Sequence, residues 1–284
     1  MSVLNRLFPR SRGKSRVVPG FGISMGVTIT LLSFIVLIPL LSILIAMSGM
    51  SFAEFWAITT DKQVLTAYQV SLACASVATV INLVFGIILA WVLTRYDFPG
   101  RRILDGFIEL PFALPTAVAG IALTTIYSDQ GWIGGIFAQL GIKISYTTIG
   151  ITIAMVFIGI PFIVRSIQPV LEKMEPQVEE AAMMLGSSGS NTFRRVIAPE
   201  ILPATLTGFG LAFARCLGEY GSVVFIAGNI PYETQIAPLL IMSKLEQFNY
   251  AGATSIALVM IVFSFLILFT LNIIQSRVNR LNRA

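Results

Sequence analysis

Six apolar runs, at residues 21–47, 67–93, 103–127, 147–170, 204–227 and 251–274, alternate along the chain with short polar stretches. Each exceeds the roughly 20 residues that a helix needs to cross a hydrocarbon core about 30 Å thick. The pattern therefore predicts an all-α, polytopic membrane protein with six transmembrane helices. Two runs carry breaks. Pro39 predicts a kink in the first. In the third, residues 108–120 read IELPFALPTAVAG, and Pro111 and Pro115 each remove a rung from the helical hydrogen-bond ladder. Such a break is tolerated at membrane depth where protein or a water-filled path surrounds it. A further apolar stretch, IAPLLIMSKLEQ at 236–247, is too short to cross and is expected as a helix on the outer surface.

Composition agrees: 56% of residues are hydrophobic, only 12% are charged, and the mean hydropathy is +0.84, against about 25% charged in a soluble domain. The net charge of +5 reports sidedness. Fifteen of the 19 bases fall in the N-terminal tail of residues 1–20, the loop RYDFPGRR at 95–102, the segment 165–195 or the C-terminal tail of residues 275–284; Lys62, Lys143 and Lys244 fall on the other side. Bases concentrate on the cytoplasmic face, so both termini are expected to be cytoplasmic. The run 21–47 is too long for the 7–15-residue core of a signal peptide and is expected to span. No basic stripe interleaved with aromatics marks a nucleic-acid surface. With no His in the chain, zincin, Ser-His and Cys-His sites are excluded, and Cys74 and Cys216 stand isolated in apolar runs, without metal-ligand spacing. The tripeptide GKS at 13–15 lacks the earlier glycine of a P-loop, Phe8 standing in its place, so no nucleotide site or cofactor is expected in this chain.

The polar interruption at 172–203, EKMEPQVEEAAMMLGSSGSNTFRRVIAPEILP, has to lie in water or against another protein. Pro176 suits a first helical turn, Gly186 a left-handed helix end, and the SSGSN run a reversal. A second short helix then resumes at 192–197 and is expected to stop at Pro199 and Pro203. The residues EAAMMLG at 180–186, followed after nine residues by VIAP at 196–199, resemble the cytoplasmic coupling motif of binding-protein-dependent ABC importer permeases. Ala198 stands where that pattern carries Leu. The resemblance implies that Glu180, Ala181, Ala182, Gly186 and Pro199 meet an ATPase subunit.

The fifth run contains ARCLGEYGS at 214–222, which places Arg215 and Glu219 four apart on one helical face within apolar surroundings. Intramembrane charges face a bundle interior or a wet cavity. Two readings stay open: Arg215 offers a local positive field to an anion in transit while Glu219 keeps it from binding too tightly, or the pair neutralises itself at a helix or subunit interface. Glu109 is expected in a structural or gating role. Thr116 and the backbone near Pro111 and Pro115 are the better candidates for lining a path, since they hydrogen-bond without net charge.

Over most of residues 60–275, the strings LPFALPTAVAGIALTTIY, ARCLGEYGSVVFIAGNIP and QIAPLLIMSKLEQFNYAGATSIA resemble the T-type permease subunits of bacterial sulfate/thiosulfate ABC importers. The resemblance implies a type I ABC importer transmembrane fold over residues 64–274, with coupling helices at 172–203, in the inner membrane. It also implies a second related permease, two ATPase subunits that use ATP and Mg2+, and an extracytoplasmic sulfate/thiosulfate-binding protein. A molybdate permease shares the LP-x-x-LP region and the Gly-Glu pair. A stand-alone anion channel or secondary transporter is a third reading, against which stand the absent inverted repeat and the single intramembrane charged pair.

Overall fold

The computed structural model describes residues 21–281, so the basic tails of residues 1–20 and 282–284 lie outside it. Every regular element among the described residues is helical. The chain divides into two units, one ending at Gly49 and one beginning at Met50. The first holds a single helix, α1 (Phe21–Met47). Pro39 does not stop it: a wide turn at Ser33–Leu37 precedes the proline, closed by a bond from the Ile38 N–H to the Ser33 carbonyl five residues back. That turn displaces the Ile35 carbonyl, which a proline ring four residues on would strike in a regular helix.

The second unit begins with a short helix, α2 (Phe52–Thr59), whose first turn is capped by the Ser51 hydroxyl accepting the Glu54 N–H. Asp61 likewise caps α3 (Lys62–Arg95). At 1.5 Å per residue α3 is about 51 Å long, well beyond a hydrocarbon core of about 30 Å. The third apolar run is two helices, α4 (Arg101–Ala113) and α5 (Thr116–Tyr127), whose axes turn by 115° at Leu114 and Pro115. It is therefore a sharply broken segment, and the described residues hold five unbroken candidate spans with this pair as a sixth. A short α6 (Gly134–Gln139) leads to α7 (Thr148–Lys173), which carries Pro161 and Pro169 within it.

The interruption at 172–203 folds in part as its sequence suggests. Helix α8 (Pro176–Met184) begins at its proline, and Gly186 follows with φ +83°, accepting the left-handed conformation that ends it. The second arm differs: Pro199 and Pro203 do not end a short helix but lie within α9 (Gly189–Leu217). The reason repeats that in α1. A wide turn at Phe193–Ile197, closed from the Ala198 N–H to the Phe193 carbonyl, moves aside the Arg195 carbonyl that Pro199 would meet. The fifth span accordingly starts earlier than 204 and ends at Leu217. A five-residue break separates it from α10 (Val223–Ala227), and the short α11 (Ala237–Glu246), with Ala237, Leu239 and Leu240 buried, precedes α12 (Tyr250–Leu281).

Helices α3, α7 and α9 make the centre. One apolar cluster, including Cys74, Met155, Phe213 and Ile256, fills the end near α10 and α11; another, including Leu93, Ile167, Leu171 and Ile201, fills the end near α8. Between them the backbones come close because each helix supplies a glycine. A Cβ on Gly86 would lie 2.6 Å from Ile163 Cγ2, one on Gly208 3.1 Å from Ile163 Cα, and one on Gly159 2.3 Å from Asn82 Nδ2 and 3.0 Å from Cys216 Sγ. Small residues at a crossing are how membrane helices gain contact without a hydrophobic drive between them. Gly159→Val should lower the stability of the detergent-purified protein by about 1–3 kcal/mol through overpacking. Gly106→Ala, on a surface with nothing within 4 Å, should leave the melting temperature unchanged or slightly raised.

Candidate functional site

The two breaks lie against each other. At the first, Pro115 is extended (φ −56°, ψ 132°) and Thr116 opens α5. At the second, α9 ends at Leu217 and residues 218–222 run without helix into α10. A Cβ on Gly221 would lie 2.1 Å from Thr116 Oγ1, and a Cβ on Gly120 would lie 2.5 Å from the Ser222 carbonyl oxygen. Gly120 thus meets the Ser222 backbone and Gly221 the Thr116 side chain, each in a close approach that only glycine permits.

Arg215 is in the last turn of α9, and Glu219 lies beyond its end, in the break itself. The expected pairing forms, with Arg215 Nη1 donating to Glu219 Oε2 at 2.5 Å, although both residues are not on one continuous helix. Their exposure is unequal: the Glu219 side chain is 2% exposed, the Arg215 side chain 35%. The other carboxylate oxygen, Oε1, accepts the Ser222 N–H at 2.8 Å, so Glu219 closes the break while it holds the arginine. The remaining guanidinium N–H groups bond to no protein group among the described residues. Depth follows from the neighbours. Gly159 touches both Asn82 and Cys216, so Arg215 stands close to the level of Asn82, thirteen residues or about 20 Å from Arg95 along α3.

Arg215 and Glu219 are therefore brought together, and Thr116, with Pro115 adjoining it, meets Gly221 two residues past Glu219. Pro111 is elsewhere, one turn back on α4, where the neighbouring Phe112 packs edge-on against Phe162 of α7 with centroids 5.2 Å apart. Glu109 has a partner that its sequence neighbourhood does not reveal. Arg165 of α7 reaches across to both Asp105 (2.8 Å) and Glu109 (2.7 Å), and also donates to Gln168 (2.6 Å). Arg165 ties α4 to α7. The four-residue spacing of Asp105 and Glu109 signals a shared face; that a base 56 residues on would occupy it is not written locally.

On the hairpin of α8 and the start of α9, Met184 and Leu185 are about nine-tenths exposed and Met183 about half. Glu180, Ala181 and Gly186 are exposed, Ala182 is partly covered, and Pro199 is exposed on the second arm. The tip of the hairpin is thus apolar and bare. No cluster of His, Cys, Asp and Glu among the described residues has the arrangement of a metal site.

Broken helices pack around the Arg215–Glu219 pair with an exposed hairpin at one end, and by likeness to solved structures the fold is that of a type I ABC importer permease. The bacterial ABC transporter that imports the acidic polysaccharide alginate superposes with a TM-score of 0.74 over 88% of this chain and 92% of that one, at 16% identity. The MetNI methionine ABC transporter superposes at 0.60 over 81% and 99%, also at 16% identity. The chain belongs to the binding-protein-dependent transport system inner membrane component family, whose model matches residues 82–283, and it is a membrane permease subunit of an ABC importer. Among curated relatives, the sulfate transport system permease protein CysT of Salmonella typhimurium is 48% identical over 265 residues, 93% of this chain and 96% of that one. CysT of Escherichia coli is 46% identical over the same shares, and CysT of Synechococcus elongatus 48% over 88% and 90%.

The contact between the two breaks can be checked directly. With Thr116 and Gly221 both replaced by Cys in a Cys74→Ser, Cys216→Ser background, mild oxidation should remove both thiols from alkylation, because the Cβ positions lie within disulfide reach. Two thiols still freely labelled after oxidation would show that the breaks are apart.

Proposed function

We propose that this chain is a permease subunit of an ATP-driven importer that moves sulfate and thiosulfate across the cytoplasmic membrane by alternating access. The observation that carries the substrate is the near full-length similarity to several sulfate permeases. The chemistry of the double break supports it. A half-buried guanidinium with unused donors suits a tetrahedral dianion, while the buried Glu219 carboxylate beside it lowers the local positive field. A pathway residue has to attract its ion without retaining it, since a tight site slows release.

In this reading residues 172–203 lie in the cytoplasm, as do both termini, and Glu180, Ala181, Ala182, Gly186 and Pro199 meet the ATPase. The end of the bundle that carries Arg95, Arg101, Arg102, Lys173, Arg194 and Arg195 would then be the inner one, in keeping with the distribution of bases in membrane proteins. The assembly comprises a second homologous permease, two ATPase subunits that bind ATP and Mg2+, and an extracytoplasmic sulfate/thiosulfate-binding protein. No cofactor is assigned to this chain. ATP binding closes the ATPase pair, the hairpin follows, and the path through Thr116, Pro115, Pro111, Arg215 and Glu219 opens outward to accept the anion. Free energy enters because ATP binds the two conformations unequally.

Arg215→Gln should reduce sulfate uptake by the reconstituted complex at least tenfold with subunit assembly unchanged; normal uptake would remove Arg215 from the pathway. In competition, unlabelled thiosulfate should suppress sulfate uptake and molybdate should not. Suppression by molybdate instead would reassign the substrate.

A further inference from the structure

Glu179 and Glu180 are adjacent on α8 and face different ways. Glu180 is exposed, whereas the Glu179 side chain is 15% exposed and accepts a 2.6 Å bond from Arg95 Nη2, itself 15% exposed, at the end of α3. It is the one ion pair between α8 and the helical bundle among the described residues. The same guanidinium group donates at 3.4 Å to the Met174 carbonyl, where the hairpin begins. One helical turn back, Trp91 lies beneath the Arg95 guanidinium at 5.7 Å and meets Phe193, on the second arm of the hairpin, edge-on at 5.9 Å. Two side chains of one α3 turn therefore hold both arms of the hairpin. The chain itself joins the hairpin only to α7 and α9, so α3 is linked to it solely through these contacts and the packing around them.

We propose that Arg95 and Trp91 form a two-point clamp that makes α3 a third receiver of the hairpin's motion, with Arg95 acting on Glu179 as a positioning residue. The proposal rests on the coupling role assigned above to the hairpin and adds a route that bypasses the chain connection. A stroke on α8 moves the end of α3, and α3 carries that displacement to the crossing at Asn82, beside Cys216 and one residue from Arg215. A paired, largely desolvated ion pair suits this task because its geometry is fixed on both sides and losing one partner leaves the other buried and uncompensated.

The test uses the complete complex with its ATPase subunits, reconstituted in vesicles, and reads sulfate taken up per ATP hydrolysed. Arg95→Ala should assemble and hydrolyse ATP yet lower that ratio at least tenfold. Arg95→Lys should restore part of it, and the exchange Arg95→Glu with Glu179→Arg should recover it to within about threefold. Trp91→Leu should lower the ratio independently of the charges. A ratio unchanged in Arg95→Ala, or an exchanged pair as poor as the single variant, overturns the clamp. Gly186→Leu, which strains the left-handed end of α8, separates the two levels. If it uncouples while Arg95→Ala does not, the clamp alone is wrong; if both remain coupled, the coupling role of the hairpin is wrong as well.

Discussion

A backbone group or a charge with no partner has nowhere to turn in hydrocarbon, and the arrangement of this bundle follows from that. The chain breaks its helical ladder twice, at Leu114–Pro115 and at residues 218–222. Each break would be expensive against lipid. Packed together, Gly120 on Ser222 and Thr116 on Gly221, they shield one another. Glu219 does double service there, since one oxygen takes a backbone N–H of the break and the other takes the arginine. The charged pair and the irregular backbone are thus one structure.

Around that structure the central helices are held differently at different depths. Two apolar clusters grip the ends of α3, α7 and α9, and the layer between them is thin, lined by glycine and small polar groups. Asn82 lies in this layer, fully buried, with neither of its amide atoms hydrogen-bonded. An amide desolvated in this way costs about 1–3 kcal/mol. The middle of the bundle is therefore less secured than either end.

The spans, the helix ends at Pro176 and Gly186, the broken third run and the Arg215–Glu219 pairing were legible in the sequence, since each is a local signal: hydropathy over twenty residues, a residue with a backbone preference, or a four-residue spacing. What could not be read falls into two kinds. Partners distant along the chain, such as Arg165 with Asp105 and Glu109 or Arg95 with Glu179, depend on which helices become neighbours. The other kind is a local rule overridden locally. Pro199 and Pro203 read as stops, yet a single turn of extra width ahead of Pro199 accommodates the first ring, and tertiary packing of Ile197 and Ile201 keeps the helix going. The fifth span ends earlier than its hydropathy suggests for a related reason: residues 218–222 are organised around Glu219, and helix resumes only at Val223.

The wide turn before Pro199 makes α9 one rod of 29 residues, about 43 Å from tip to tip. Its near end lies in the exposed hairpin and its far end carries the guanidinium. Had the prolines severed it, a nudge at the tip would have been absorbed by a swivelling joint before reaching the charge. As built, the helix has the form of a crowbar with a single wide ring near its handle, and no swivel separates that handle from Arg215.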